Sequence, residues 1–347
     1  MNQPEAHYIV ITPAGGFEEM PSLQEALERA AEAGYIWADY VDPTAELLAE
    51  LMPTLNIHPL SIEDCINGDQ LPKLDLFPNY SFLIFNVFEE MPEELLSHEL
   101  DLFIGPNFVI TAGFRNQSGQ PLLNGLTALF ERQPEAVKQG PSYLLHQVLD
   151  KTVDDKLVVI ENIEEALEAN EDDILAEPLE FDYSALMQSR RALQIIRRSL
   201  FHERELVNKL IRKDSPFIAD KALVYFRDIY DHLSKYYEVA ETAREQVTDL
   251  MEIHLSLINN SMAETANRTN AIMRRLTLIT TIFMPLTLIS GIGGMSEFTM
   301  MIGQQNWRLG YAILLVVMAV IALVNYLLLL RLGINANREV KKLQLNK

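Results

Sequence analysis

Hydrophobic and polar positions divide the chain into three regimes. Through residue 115 the apolar runs are short, rich in β-branched and aromatic residues, and punctuated by Gly and Pro: YIVITPAG from Tyr8, YIWADYVD from Tyr35, YSFLIFNVF from Tyr80 and ELDLFIGPNFVITAG from Glu99. Such runs predict strands, and the Gly105-Pro106 pair predicts a hairpin turn within the last of them. Between them, PTAELLAELM (43–52) and HPLSIEDC (58–65) predict helices. From about Gln120 the spacing becomes helical, with amphipathic stretches from Ser142 to Leu175 and from Tyr183 to Lys213.

The third regime is apolar. Leu276 to Met295 and Leu309 to Leu330 carry no formal charge, and about 20 such residues cross roughly 30 Å of hydrocarbon as a helix. The alternative is a buried helical hairpin in a soluble protein; two such runs closing an acidic chain favour spans. No proline or glycine falls between Ala222 and Thr281, so one helix is predicted to run from the cytosol into the first span. Pro285 inside that span removes one backbone donor. The expected organisation is an α+β cytoplasmic domain (1–115), a cytoplasmic helical region (116–215), a long stalk and pore helix (216–295), an outer loop (296–308), a second span (309–331) and a basic cytoplasmic tail (332–347).

Charge orients this plan. Of 28 Lys+Arg and 49 Asp+Glu, residues 271–347 hold 8 and 2, so the body carries −27 and the C-terminal part +6. Arg268, Arg274 and Arg275 precede the first span, and Arg331, Arg338, Lys341 and Lys342 follow the second, whereas the loop between them carries Glu297 and Arg308. Both termini are therefore expected in the cytoplasm, beneath a cytoplasmic (inner) membrane. The N-terminal residues show neither a basic leader nor a long apolar core, so no cleaved signal is expected.

Alternate steps of three and four residues along the first span collect Asn270, Met273, Thr277, Thr280, Met284, Thr287 and Gly291, a heptad seam. Continued backwards it takes in Asp249, Glu252, Ser256, Asn259, Ala263 and Ala266. A seam of hydroxyls, amides and carboxylates packs poorly but solvates an ion, so several copies around an axis would enclose a water-filled conduit with acidic groups at its inner end. Two alternatives stay open: the threonines bond back to their own helix, and the methionines fill packing gaps rather than form apolar constrictions.

Other chemistry is sparse. A net charge of −21 argues against a nucleic-acid partner, which needs a basic face, and makes cations the natural partners. One cysteine, Cys65, rules out an internal disulfide or cysteine-rich zinc cluster and reads as a small buried residue. The acidic run ENIEEALEANEDD (161–173) reads as a solvated helix face. No phosphate-binding loop, nucleophile elbow or HExxH is present, so no enzymatic activity and no cofactor beyond bound divalent cations are expected.

NIHPLSIEDC (56–65), LPKLDLFPNYSFLIF (71–85), ELDLFIGPNFVITAG (99–113), YFRDIYDH (225–232) and ANRTNAIMRRLTLITTIFMPLTLISGI (266–292) together resemble the CorA and ZntB family of divalent cation transporters. The resemblance implies a funnel-shaped homopentamer whose first spans surround a central pore, lined by Asn270, Met273, Leu276, Thr280, Met284, Thr287 and Gly291. It further places Asp64 and Asp228 where family members hold an intersubunit regulatory metal. Where the family carries Gly-Met-Asn, this chain has Gly294, Met295 and Ser296, a shorter ligand in a wider ring, with Glu297 available as an acidic replacement. INNSMAE (258–264) looks like one extra heptad, which leaves Glu252 and Asn259 on the pore side. The expected function is passage of Mg²⁺ or Zn²⁺, with Co²⁺ and Ni²⁺ as further candidates; a non-conducting pentameric metal sensor or scaffold is the alternative. No His or Cys lies in the first span, so a transition metal would pass largely hydrated.

Overall fold

The computed structural model describes residues 4–14, 16–32, 34–68, 70–123, 138–295 and 307–344, with side chains described as far as 328 and at Arg331. Its contacts form two compact units, Met1–Leu255 and Ser256–Lys347.

In the first unit the β-branched runs become strands: β1 (Glu5–Ile11), β2 (Phe17–Met20), β3 (Tyr35–Val41), β4 (Lys73–Leu76), β5 (Ser81–Glu90), β6 (Leu95–Ile104) and β7 (Phe108–Gly113). They form one sheet in the order β2-β1-β3-β7-β6-β5-β4. Every neighbouring pair is antiparallel except β3 against β7. A strand at the centre of a covered sheet is apolar on both faces, and in β3 only Asp39 is not fully buried. The β6–β7 hairpin closes at Gly105, whose N–H donates to the Phe108 carbonyl at 3.0 Å. A β-carbon at Gly105 would lie 2.3 Å from the Phe108 ring, so any larger residue there would have to displace that buried ring.

One face of the sheet is covered by α1 (Leu23–Glu32), α2 (Ala45–Leu48), α3 (Leu51–Leu55) and α4 (Pro59–Asn67). Leu23, Ala26, Leu48, Leu51, Ile62 and Cys65 meet Val10, Ile36, Tyr40, Phe82, Ile84 and Phe103 in one core. The stretch PTAELLAELM thus forms two short helices rather than one, with Glu50 at the break accepting hydrogen bonds from the Tyr8 hydroxyl at 2.5 Å and the Tyr40 hydroxyl at 2.8 Å. Further along, α5 (Pro141–Ala176) packs on β5, β6 and β7, and α6 (Tyr183–Ile211) on β4 and β6. Along 161–173 Ile163 and Leu167 are buried and most of the acids are exposed, the expected solvated face.

α7 (Leu223–Gly293) is a single helix of 71 residues that runs without a break through Pro285. α8 (Trp307–Gln344) continues past the expected second span into the segment expected as a tail. Both contain stretches long and apolar enough to cross a membrane.

Candidate metal cluster and ion pathway

In the first unit, α5 brings Asp150 and Asp154 together one turn apart, and α7 does the same with Asp228 and His232. Ligand atoms of Asp150, Asp154 and His232 all lie within 4.8 Å of one another. Burial pushes the Asp150 carboxyl up to about 6, and the charges of Asp154 and Asp228 add to the effect. His232 stacks on Tyr236 with ring centroids 6.0 Å apart, and its buried Nδ1 makes no hydrogen bond. Burial also lowers His146 to about 4, against the opposing charge of Asp228. A carboxyl raised by burial and by neighbouring negative charge, as Asp150 is, is relieved by a divalent cation, and two oxygens with an imidazole suit a small divalent ion.

Asp64 sits elsewhere. The Tyr80 hydroxyl, which accepts from the His58 amide at 3.0 Å and meets the Ser61 hydroxyl at 2.9 Å, ties the start of α4 to the sheet. α4 then presents Asp64, half-buried, to the Gln70 side-chain amide at 2.5 Å and the Lys73 ammonium at 2.7 Å. Within one chain Asp64 is held by Gln70 and Lys73, whereas the Asp228 charge acts on Asp150 and His146. Asp228 is exposed and lies beside the Asp150 group, while Asp64 is held in an ion pair.

Sequence reasoning missed Asp150, Asp154 and His232. The signal was two acid-bearing pairs at helical spacing, DKTVD and DIYDH, on segments that turn out to be neighbours.

On α7 of the first unit Glu252 is exposed. In the second unit Asn259, Asn270, Met273, Leu276, Thr277, Thr280, Met284, Thr287 and Gly291 are all exposed. The half-buried residues of the apolar stretch, Leu278, Ile282, Pro285, Leu286 and Ile289, lead to buried Gly293 and form a stripe on the opposite face of the helix. At Gly293 this stripe meets Tyr311 and Leu314 of α8. The polar seam is thus left open by the chain's own second span. Within the seam, Thr277, Thr280 and Thr287 donate their hydroxyl hydrogens to the carbonyls of Met273, Leu276 and Phe283 at 2.8, 3.0 and 2.8 Å. Back-bonding and ion solvation are compatible: a hydroxyl whose hydrogen goes to the helix keeps acceptor lone pairs for a hydrated cation. Gly294 and Met295 follow the end of α7, and Ser296 and Glu297 lie outside the described residues.

The sequence profile described as "CorA-like Mg2+ transporter protein" matches residues 32–331, which hold the cluster, Asp64, the seam and both spans. The chain belongs to the CorA-like family. The cobalt/magnesium transport protein CorA of Thermotoga maritima is 34% identical over 270 residues, covering 77% of this chain and 74% of that protein. YfjQ of Bacillus subtilis is 32% identical over 306 residues, covering 86% and 89%. The complete structure of the CorA magnesium transporter from Methanocaldococcus jannaschii superposes with a TM-score of 0.68 at 22% identity, covering 94% of this chain and 98% of that one. The CorA-like fold accounts for the mixed N-terminal domain, the long α7 and the two apolar helices.

Proposed function

We propose that this chain transports divalent metal cations, Mg²⁺ and Co²⁺ first among them, through a pore lined by the α7 seams of several copies. The observation that carries the reading is the seam itself: its polar residues are exposed on the face of α7 opposite the stripe that meets α8. An amide, hydroxyl and carboxylate surface left open by its own chain needs water or other copies of itself against it, and a ring of copies supplies both. A homopentamer with both termini in the cytoplasm fits the family resemblance and the charge asymmetry between loop and flanks.

In this reading the Asp150, Asp154 and His232 cluster with neighbouring Asp228 is the regulatory metal site, and Asp64 reaches it from an adjacent protomer after releasing Lys73. Cation occupancy would then bias the equilibrium between closed and open assemblies. Ser296 in place of the family's asparagine weakens preference for hydrated Mg²⁺, so Zn²⁺ and Ni²⁺ belong in the competition.

The test is flux into proteoliposomes holding the purified full-length chain, with Mg²⁺, Co²⁺, Zn²⁺ and Ni²⁺ supplied singly and in competition. Saturable entry of Mg²⁺ or Co²⁺ above protein-free vesicles is expected. Metal binding without any flux would replace the transport reading by a sensor or scaffold.

A further inference from the structure

The end of α7 is held by two neighbouring positions of α8. The Tyr311 hydroxyl donates to the Gly293 carbonyl at 3.0 Å. Gly293 is buried, and a β-carbon on it would come within 2.6 Å of Leu314 Cδ2. Tyr311 and Leu314 stand three residues apart, so one face of α8 supplies both contacts. Trp307 packs edge-on against the Tyr311 ring, with centroids 6.4 Å apart at 78°, which limits the directions the hydroxyl can take.

This contact falls where the helix changes. The Gly294 amide still donates to the Ser290 carbonyl at 2.9 Å with the four-residue spacing of an α-helix, but Met295 donates to Ile292 at 3.2 Å, a three-residue spacing. The last carbonyls of a helix lack an amide partner of their own, and a tightened final turn is one response to that. At Gly293 a side chain from the other span serves instead. Such a bond fixes the position of the helix end.

We propose that Tyr311 is a positioning residue for ion selection: by holding the Gly293 carbonyl on the face away from the seam, it sets the direction in which the chain leaves α7 through Gly294 and Met295. This rests on the transport reading, in which the segment beginning at Gly294 meets the arriving ion. Leu314 lies against the same residue, and the missing β-carbon of Gly293 leaves room for its methyl group. Selection by a ring of oxygens depends on where the backbone places them, so a shift at Gly293 changes the discrimination between ions more than the passage of any one.

The experiment compares Mg²⁺ and Co²⁺ flux ratios in proteoliposomes containing the full-length chain. Tyr311→Phe keeps the ring and removes the donor; it is expected to change the ratio by about three- to tenfold, the range of one net hydrogen bond. Tyr326→Phe, at an exposed position of the same helix, is the control and should keep the wild-type ratio. Gly293→Ala should shift the ratio as well, and adding Leu314→Ala should return it toward wild type by making room for the new methyl. If Tyr311→Phe does not assemble, the Gly293 pair decides by the same ratio. A ratio unchanged within about twofold in Tyr311→Phe and Gly293→Ala, even with total flux reduced, overturns the proposal while leaving transport standing. A wild-type chain that moves neither ion removes the transport reading and the proposal with it.

Discussion

Lys156 on α5 and Glu203 on α6 form an ion pair at 3.1 Å in which both side chains are buried, at 1% and 0% exposure. The ammonium also donates to the Asn86 carbonyl and lies 4.4 Å from the centre of the Phe85 ring. Glu203 accepts from the Asn86 amide at 3.0 Å and the Ser199 hydroxyl at 3.1 Å. One strand and two helices thus meet at a single charge pair. Removing one partner leaves the other charge buried without compensation, which costs about 3–5 kcal/mol, whereas apolar replacement of both is far milder. Lys156→Met should therefore lower the unfolding midpoint of the purified chain sharply, and Lys156→Met with Glu203→Leu should recover much of the loss. A single variant as stable as wild type would show that the pair does not hold these elements together.

Divalent binding to the Asp150, Asp154 and His232 cluster should stabilise the fold by mass action, raising the thermal midpoint as Mg²⁺ or Co²⁺ is added. Asp154→Asn or His232→Ala should move that dependence to at least about tenfold higher cation concentration, since even an outer-shell partner is worth about 10–100-fold. Asp173→Asn, on the exposed part of the same helix α5, should leave the titration unchanged. Identical titrations in all four proteins would exclude the cluster as a metal site.

The large elements were legible because they repeat a period many times. The two long helices and the uninterrupted α7 follow from residue spacing, and the strands at Tyr8, Tyr35 and Tyr80 from their β-branched and aromatic content between Gly and Pro. β2 and β4 were not, since four residues each, FEEM and KLDL, offer two alternations at most and lie at the two edges of the sheet. α1 was legible and was missed: Leu23, Ala26, Leu27 and Ala30 recur at helical spacing against Gln24, Glu25, Glu28 and Arg29. The break at Glu50 is set by two tyrosines from β1 and β3, which no local pattern reveals. The seam was readable residue by residue, but its open face needed the stripe against α8. Asp150 and Asp154 look like any charges on an acidic helix until α7 packs His232 beside them.

His146 is 5% exposed, with Tyr225 at 5.2 Å and Phe226 at 6.1 Å between ring centroids, the Gln147 amide at 3.2 Å from Nδ1, Asp150 at 4.0 Å from Nε2, and the Asp228 charge nearby. Burial lowers it from the ordinary 6.5 to about 4, so the fold favours the neutral ring. Its contribution to stability is complete above the unfolded value and is lost as pH falls from 6.5 toward 4. Asp150 has the opposite sign: raised from 3.8 to about 6, it is relieved by acid. In the presence of a chelator, His146→Leu should therefore lose less of its thermal midpoint than wild type when pH is lowered from about 7.5 to about 5. Equal losses in the two proteins would mean that another group carries the acid sensitivity.

Met284 is the most exposed large residue of the apolar stretch, at 76%, and stands on the seam between Thr280 and Thr287. Its thioether interrupts a line of hydroxyls with a flexible apolar group. In a ring of copies, apolar side chains at one level exclude water from a narrow passage, and a dry constriction holds back a hydrated ion. Met284→Ser replaces that level by hydroxyls and continues the polar line, so it should raise divalent flux several-fold, most visibly under high internal cation, when a regulated pore is closed. Thr287→Val, one helical turn on, removes an acceptor oxygen at nearly constant volume and should act in the opposite direction. Both effects are read as initial flux into proteoliposomes matched for protein content. A drop in flux for Met284→Ser would show that the methionine packs the pore wall instead of closing the pore, because only a barrier is relieved by its removal.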